Sequence, residues 1–274
     1  MKPFIVPVDF SETAMNAARY AAEFSNNVKG ASLILFNSFD RILAGSDGSP
    51  LFSDPNSRMD LSMAALENLK SEISFLTTAK IECIAEEGEL ISNLRGLVKK
   101  SGSELIIMGI TGSSRLDQLL IGSNTLSLIS QDIAPVLIIP PNAKFKGIKN
   151  VVYSSDFRSV ERTTPLAPIK SFLDMTGAAL HVVNVDSEHR IELTEEYKSE
   201  KAKLNSMLSD YKPEYYFIRL FDFTDAISTF SEGHNIDAII TVPRKHSFLE
   251  SLFKSSHTKK LAYHSHVPIL AIHG

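Results

Sequence analysis

Leu105-Ile106-Ile107-Met108-Gly109-Ile110-Thr111-Gly112 is followed, nine residues on, by Gly122-Ser123-Asn124-Thr125. The opening Leu105-Ile106-Ile107-Met108 is a short apolar run that reads as a buried strand, and 126–129 reads as helix. A strand that runs into a glycine-punctuated loop and then a helix is how α/β proteins hold phosphate. Glycine lets the backbone approach an anion, and the exposed N–H groups of the loop and helix start act as donors. Two tight turns would also use glycine. Three glycines and a Ser-Asn-Thr cluster at one strand end instead favour nucleotide or phosphate binding.

The chain is written twice. Ile5-Val6-Pro7-Val8-Asp9-Phe10-Ser11 is echoed by Val152-Tyr153-Ser154-Ser155-Asp156-Phe157-Arg158 at a shift of 147 residues, which also sets Gly30 on Gly177, Leu33 on Leu180 and Asn37 on Asn184. A shift of 133 sets Leu105-Ile106-Ile107-Met108 on Ala238-Ile239-Ile240-Thr241, Thr125 on Thr258 and Pro135 on Pro268. The first half therefore carries about 14 more residues, assigned to a loop over 43–56 rich in Gly, Ser, Asp and Pro. A repeat of this length means a tandem pair of domains rather than a solenoid. The boundary is expected in Pro140-Pro141-Asn142-Ala143-Lys144-Phe145-Lys146-Gly147, giving domains 1–142 and 148–274.

Within the first half, strands are expected at 4–8, 32–37, 81–86, 105–109 and 136–139. Helices are expected from about 12, 61–76, 89–101 and 124–131. The first helix carries Ala14, Ala17, Ala18, Ala21 and Phe24 on one face, with Ser11 as its N-cap. Apolar strands alternating with amphipathic helices imply a parallel sheet covered on both faces. Such sheets bind ligands beyond the carboxyl ends of their strands, where Asp9, Ser38 and Gly109 fall. In the second half the first helix should occupy 159–175, but it contains Pro165 and Pro168. Interior proline costs about 3 kcal/mol, so that helix starts late or kinks.

The chain has 274 residues, 43% of them hydrophobic and 22% charged, and a net charge of −4. That supports full cores and gives no electrostatic footprint for nucleic acid. Arg244-Lys245-His246 is too short to make one. Met1-Lys2-Pro3 leads directly into the first strand, and no apolar run is long enough to span a bilayer. The single cysteine, Cys83, lies in a strand and reads as a packed small residue. The expectation is a cytoplasmic protein without membrane or nucleic-acid partners.

These residues resemble the universal stress protein family in its tandem two-domain form. The most specific element is the family's ATP-binding pattern Gly-x2-Gly-x9-Gly-(Ser/Thr), met here by Gly109, Gly112, Gly122 and Ser123. Asp9 after the first strand and Asn37-Ser38 at the end of the second also match. The resemblance implies two flavodoxin-like α/β domains, each with a five-stranded parallel sheet flanked by helices. It also implies dimerisation through the last strand, which a tandem chain can satisfy internally as a pseudo-dimer, with or without a further homodimer. The implied ligand is ATP, with Mg2+ accompanying it. Asp9 would accept hydrogen bonds from ribose or adenine, unless it serves only to cap the next helix. The backbone near Ser38 and Met108 would line the adenine slot. Gly109 and Gly112 would pass under ribose and α-phosphate, and Gly122, Ser123 and Asn124 would meet the phosphates. Ser113 and Arg115 lie in the loop and would reach phosphate, unless Arg115 is simply a solvated loop residue.

The second half fails the pattern: Val242, Lys245 and Ser255 stand where Gly109, Gly112 and Gly122 do, although Ser256 aligns with Ser123 and Asp156 with Asp9. Arg244, Lys245 and Lys254 could bind an anion by charge instead, but an empty, altered or structural second site is expected, giving one competent pocket and one scaffold half. All eight histidines lie in the second half, His264-Ser265-His266 being the densest pair. With no cysteine nearby and no HExxH, they read as surface or capping residues rather than ligands, and give this half a pH sensitivity near neutral. No metal site is assigned. Three functions compete: an ATP-binding regulatory module acting on an unidentified protein partner, a slow ATPase, and a nucleotide-free scaffold. No Gly-Lys-(Ser/Thr) and no paired carboxylates stand in the loop, so efficient hydrolysis is not expected.

Overall fold

The computed structural model describes residues 2–39, 55–110, 122–185, 194–218, 223–242 and 266–273. In the first half the strands are β1 (Lys2–Pro7), β2 (Ala31–Phe39), β3 (Lys80–Glu87), β4 (Leu105–Gly109) and β5 (Val136–Ile139). The helices are α1 (Glu12–Ser25), α2 (Pro55–Ile73), α3 (Leu90–Ser101) and α4 (Ser123–Ser130). In the second half, β6 (Asn150–Ser154), β7 (Ala179–Val185), β8 (Glu214–Ile218), β9 (Ala238–Thr241) and β10 (Ile269–Ala271) alternate with α5 (Val160–Thr163), α6 (Leu166–Thr176), α7 (Glu195–Met207) and α8 (Phe223–Gly233).

Among the described residues, ten strands join one sheet in the order β3-β2-β1-β4-β5-β10-β9-β6-β7-β8. Within each half every pairing is parallel. At the centre β10 runs antiparallel to β5, with Ile269 opposite Ile138 and Ala271 opposite Val136. The two five-stranded sheets thus meet through their last strands.

Period-two alternation sends neighbouring strand residues to opposite faces. Phe4, Val6, Leu33, Leu35, Leu105 and Ile107 share a core with α1, α2, α6 and α7. Ile5, Ile34, Phe36, Ile106 and Met108 face α3, α4 and α8. Each core draws residues from both halves. The junction is filled by Phe145, whose ring lies 5.3 Å from that of Tyr20 and 5.8 Å from that of Phe24, with Phe172 of α6 6.5 Å from Phe24. Asn16 of α1 holds the linker by donating to the carbonyls of Pro140 and Ala143, both at 3.1 Å.

The repeat extends to individual hydrogen bonds. Val8 N donates to Phe36 O at 2.8 Å, and Ser155 N to Val183 O at 3.0 Å. Asn37 Nδ2 donates to Val8 O at 2.7 Å, and Asn184 Nδ2 to Ser155 O at 2.8 Å. Ile106 N donates to Pro135 O at 3.0 Å, and Ile239 N to Pro268 O at 2.9 Å. Phe10 and Phe157 share a left-handed backbone, φ 61° and 48°, a conformation that costs a non-glycine residue about 1–3 kcal/mol and clusters at functional turns.

Two elements differ from the sequence expectation. The helix expected at 61–76 begins at Pro55, inside the region assigned to loop, and ends in a 3-10 turn at Ser74–Leu76. Proline suits a first helical position, because its missing N–H would have no partner there. The expected helix over 159–175 is broken. α5 ends at Thr163, Pro165 precedes α6, and Pro168 falls in the first turn of α6, where the lost N–H costs no intrahelical bond. α5 has no cap of its own; Glu200 of α7 reaches across and accepts from Val160 N at 2.7 Å.

Candidate functional site

β1 stands between β2 and β4. The chain leaves β1 toward one side of the sheet and later returns on the other, so β1 and β4 flank the switch in strand order. Their carboxyl ends, with that of β2, are where an open α/β sheet receives a ligand.

After β1, Asp9 is exposed. Its Oδ1 accepts from Ser11 N at 3.1 Å and from Ser11 Oγ at 2.5 Å. Ser11 Oγ then accepts from Ala14 N at 3.3 Å, capping α1. Asp9 therefore organises the start of α1 through Ser11, while lying at the switch. Asp156 keeps only the backbone half of this arrangement in the second half, accepting from Arg158 N at 3.1 Å, and Arg158 brings no hydroxyl to cap the helix that follows.

At the end of β2, the Ser38 hydroxyl donates to Gly88 O at 2.6 Å and accepts from Asn93 Nδ2 at 3.0 Å. Asn93 also donates to Glu87 O at 3.2 Å. The Ser38 side chain thus ties β2 to the turn before α3, leaving its backbone as the part that can line a slot. Met108 is buried on the α3 and α4 face, so it too can offer a ligand only backbone.

Gly109 ends β4 with a requirement internal to the fold. A Cβ there would stand 2.7 Å from the carbonyl oxygen of Thr13 in α1. The glycine expected to make room for a nucleotide is already needed by a helix. Val242 holds the matching position in the second half, half-buried against the core.

Beyond Gly109, the chain is drawn back to the strand end. Gly122 N donates to Ile110 O at 2.8 Å, and the Thr125 hydroxyl reaches Gly109 O at 3.4 Å. Gly122 is the N-cap of α4, and no side chain caps this helix among the described residues. Ser123 and Asn124 are exposed. First-turn N–H groups without a side-chain acceptor, at the positive end of the helix dipole, favour an anion.

The structure therefore gathers Gly109, Gly122, Ser123 and Asn124 at the β4–α4 junction, with Asp9 and Ser38 on the next two strands. Gly112, Ser113 and Arg115 lie outside the described residues, as do Arg244, Lys245, Lys254, Ser255, Ser256 and His264. Sequence reasoning missed Thr13, Gly88 and Asn93, whose roles depend on contacts between distant segments. Among the described residues no three of His, Cys, Asp and Glu gather as metal ligands, and no helix is long and apolar enough to cross a membrane.

The sequence profile described as the Universal stress protein family matches residues 1–140. Universal stress protein MJ0577 of Methanocaldococcus jannaschii is 26% identical over 154 residues, covering 50% of this chain and 94% of that protein. The crystal structure of a universal stress protein from Archaeoglobus fulgidus matches with a TM-score of 0.67 at 17% identity, covering 99% of this chain and 98% of that one. The functionally unknown protein PA1789 of Pseudomonas aeruginosa matches with a TM-score of 0.59 at 15% identity, covering 100% of this chain and 92% of that one. These last two likenesses establish the fold over the full length, and the profile establishes descent. The chain belongs to the universal stress protein family.

Proposed function

We propose that the first half, 1–142, binds ATP and that the second, 148–274, is a scaffold with a degenerate site. The observation that carries this reading is the start of α4: Gly122 is tethered to the end of β4, no side chain caps the helix among the described residues, and the glycine spacing of an adenylate-binding loop leads into it. Gly122, Ser123 and Asn124 would meet the phosphates. Gly112 and Ser113 would shape the intervening loop. Asp9 would face ribose or adenine, and the backbone of Ser38, Met108 and Gly109 would line the base. Mg2+ would travel with the triphosphate.

The chain acts, on this reading, as a cytoplasmic regulatory module. Occupancy of the start of α4 changes the surface offered there to a protein partner. The β5–β10 seam takes the place of a contact between two chains, making one molecule an internal pseudo-dimer.

The packing of Thr13 on Gly109 favours a second reading, a nucleotide-free scaffold, because it explains one motif glycine without a ligand. One experiment separates the two. The purified chain is denatured and the released small molecules are resolved by anion exchange, followed by titration with ATP. Stoichiometric ATP, or saturable binding, supports the module; neither leaves the scaffold. Release of ADP or AMP alone points to slow hydrolysis.

A further inference from the structure

His181 stands in β7 where the first half has a core isoleucine. Ile34 of β2 lies opposite Glu82 of β3, and His181 lies opposite Glu214 of β8. The glutamate on the outer strand is common to both halves; only its neighbour has changed from apolar to ionisable. Ile34 is buried on the α3 and α4 face. His181 is only 8% exposed, and neither ring nitrogen has a hydrogen-bond partner among the described residues.

Its surroundings are aromatic. The rings of Tyr216, Phe230 and His234 lie 5.8, 6.1 and 5.9 Å from its own. His234 stacks on Phe230 at 4.0 Å, with Nδ1 3.0 Å from Phe230 O. β8 contributes two ionisable groups, Glu214 with Oε2 3.7 Å from His181 Nδ1, and Tyr216, whose hydroxyl donates to that same oxygen at 2.5 Å. α8 contributes His234, and β6 sets Val152 beside His181. A proton on His181 would lack solvation, face a second imidazole, and find the Glu214 carboxylate already engaged by a phenol. Burial, the largest influence, and His234 push its pKa down against the pull of Glu214, and the net effect is to lower it from 6.5.

We propose that His181 makes the hold of edge strand β8 and helix α8 on the sheet sensitive to acid, tight while the imidazole is neutral and loosened on its protonation. Above pH 6.5 the ring is neutral in both folded and unfolded chains, and its packing counts in full. As pH falls through 6.5 the unfolded chain takes up the proton first. Stability then drains until the pH passes the lower folded-state value. The first half carries Ile34 and has no such response, so one half senses acid and the other does not.

The test compares the full chain with His181→Ile, which installs the side chain that the first half uses at the same position. Urea unfolding at pH 7.5 and 5.5 is followed by circular dichroism and by hydrogen exchange over 214–218 and 223–233. Acidification should raise the unfolding constant of the native edge up to about tenfold more than that of the variant. Titration of the His181 ring by NMR in the native chain should give a midpoint below 6.5. An equal response in both proteins, or a midpoint at or above 6.5, overturns the proposal. If His181→Ile does not fold, the ring titration decides alone.

Discussion

A β-carbon on Gly109 would meet the backbone of Thr13, 2.7 Å from its oxygen and 2.8 Å from its carbonyl carbon. Both obstacles are main chain, so neither can rotate away. The end of β4 and the first turn of α1 are locked at a separation that only hydrogen fits. In the second half a valine, Val242, replaces the glycine, and there the corresponding helix is interrupted before Pro165.

Gly109→Ala should destabilise the nucleotide-free protein by about 1–3 kcal/mol, the usual range for overpacking, read as a shifted midpoint in urea. Gly122→Glu should behave oppositely. Gly122 has φ −63°, which any residue adopts, so the apo protein should unfold at an unchanged urea concentration. ATP affinity should fall at least tenfold, because a carboxylate then competes with phosphate at the helix start. Retained affinity in that variant would remove the phosphate assignment.

Asn37→Ala should cost about 1–3 kcal/mol, since Val8 O loses its side-chain donor in a buried setting. Asn184→Ala removes the matching bond to Ser155 O and should cost a similar amount. Equilibrium unfolding of both variants checks the symmetry. A large effect in one half and none in the other would contradict it.

The two halves should unfold together, because each hydrophobic core spans the junction. Phe145→Ala removes the ring wedged against Tyr20 and Phe24. Phe145 is half-buried, so the variant should lose less than the ~3–5 kcal/mol of a fully buried ring, and its calorimetric unfolding should resolve into two transitions. A native protein that already melts in two steps would refute the coupling.

Cys83 should resist alkylation. Burial, followed by the charge of Glu67 and a hydrogen bond to it, pushes its thiol up to about 12, and the thiolate is the reactive form. Iodoacetamide at pH 8 should modify it at least tenfold more slowly in the native chain than in urea, as followed by mass spectrometry. Equal rates would show the thiol to be open and ordinary.

The regular elements were legible because their patterns are local. The runs at 105–109 and 136–139 are bounded as expected, and Ser11 caps α1. Glu89 caps α3 from one residue before its first turn, accepting from Ile91 N at 3.0 Å and Ser92 N at 2.7 Å, where the sequence reading began the helix. Pro55 misled because a proline among Gly, Ser and Asp reads as loop, while the same residue also suits a helix start. At the site, the spacing of Gly109 and Gly122 was visible, but the reason for Gly109 was not. It depends on a carbonyl 96 residues away in the chain. Ser38 was likewise readable as a strand end but not as a latch, since Gly88 and Asn93 join it only when β2 and β3 pair.

The antiparallel meeting of β5 and β10 has a consequence for divergence. In an assembly of identical subunits, every substitution is made twice, and a change that spoils one pocket spoils its mirror image. Here the mates across the seam are encoded separately. Val242, Pro165 and His181 stand opposite Gly109, Ala18 and Ile34, so one copy can change at positions where the other stays as it is.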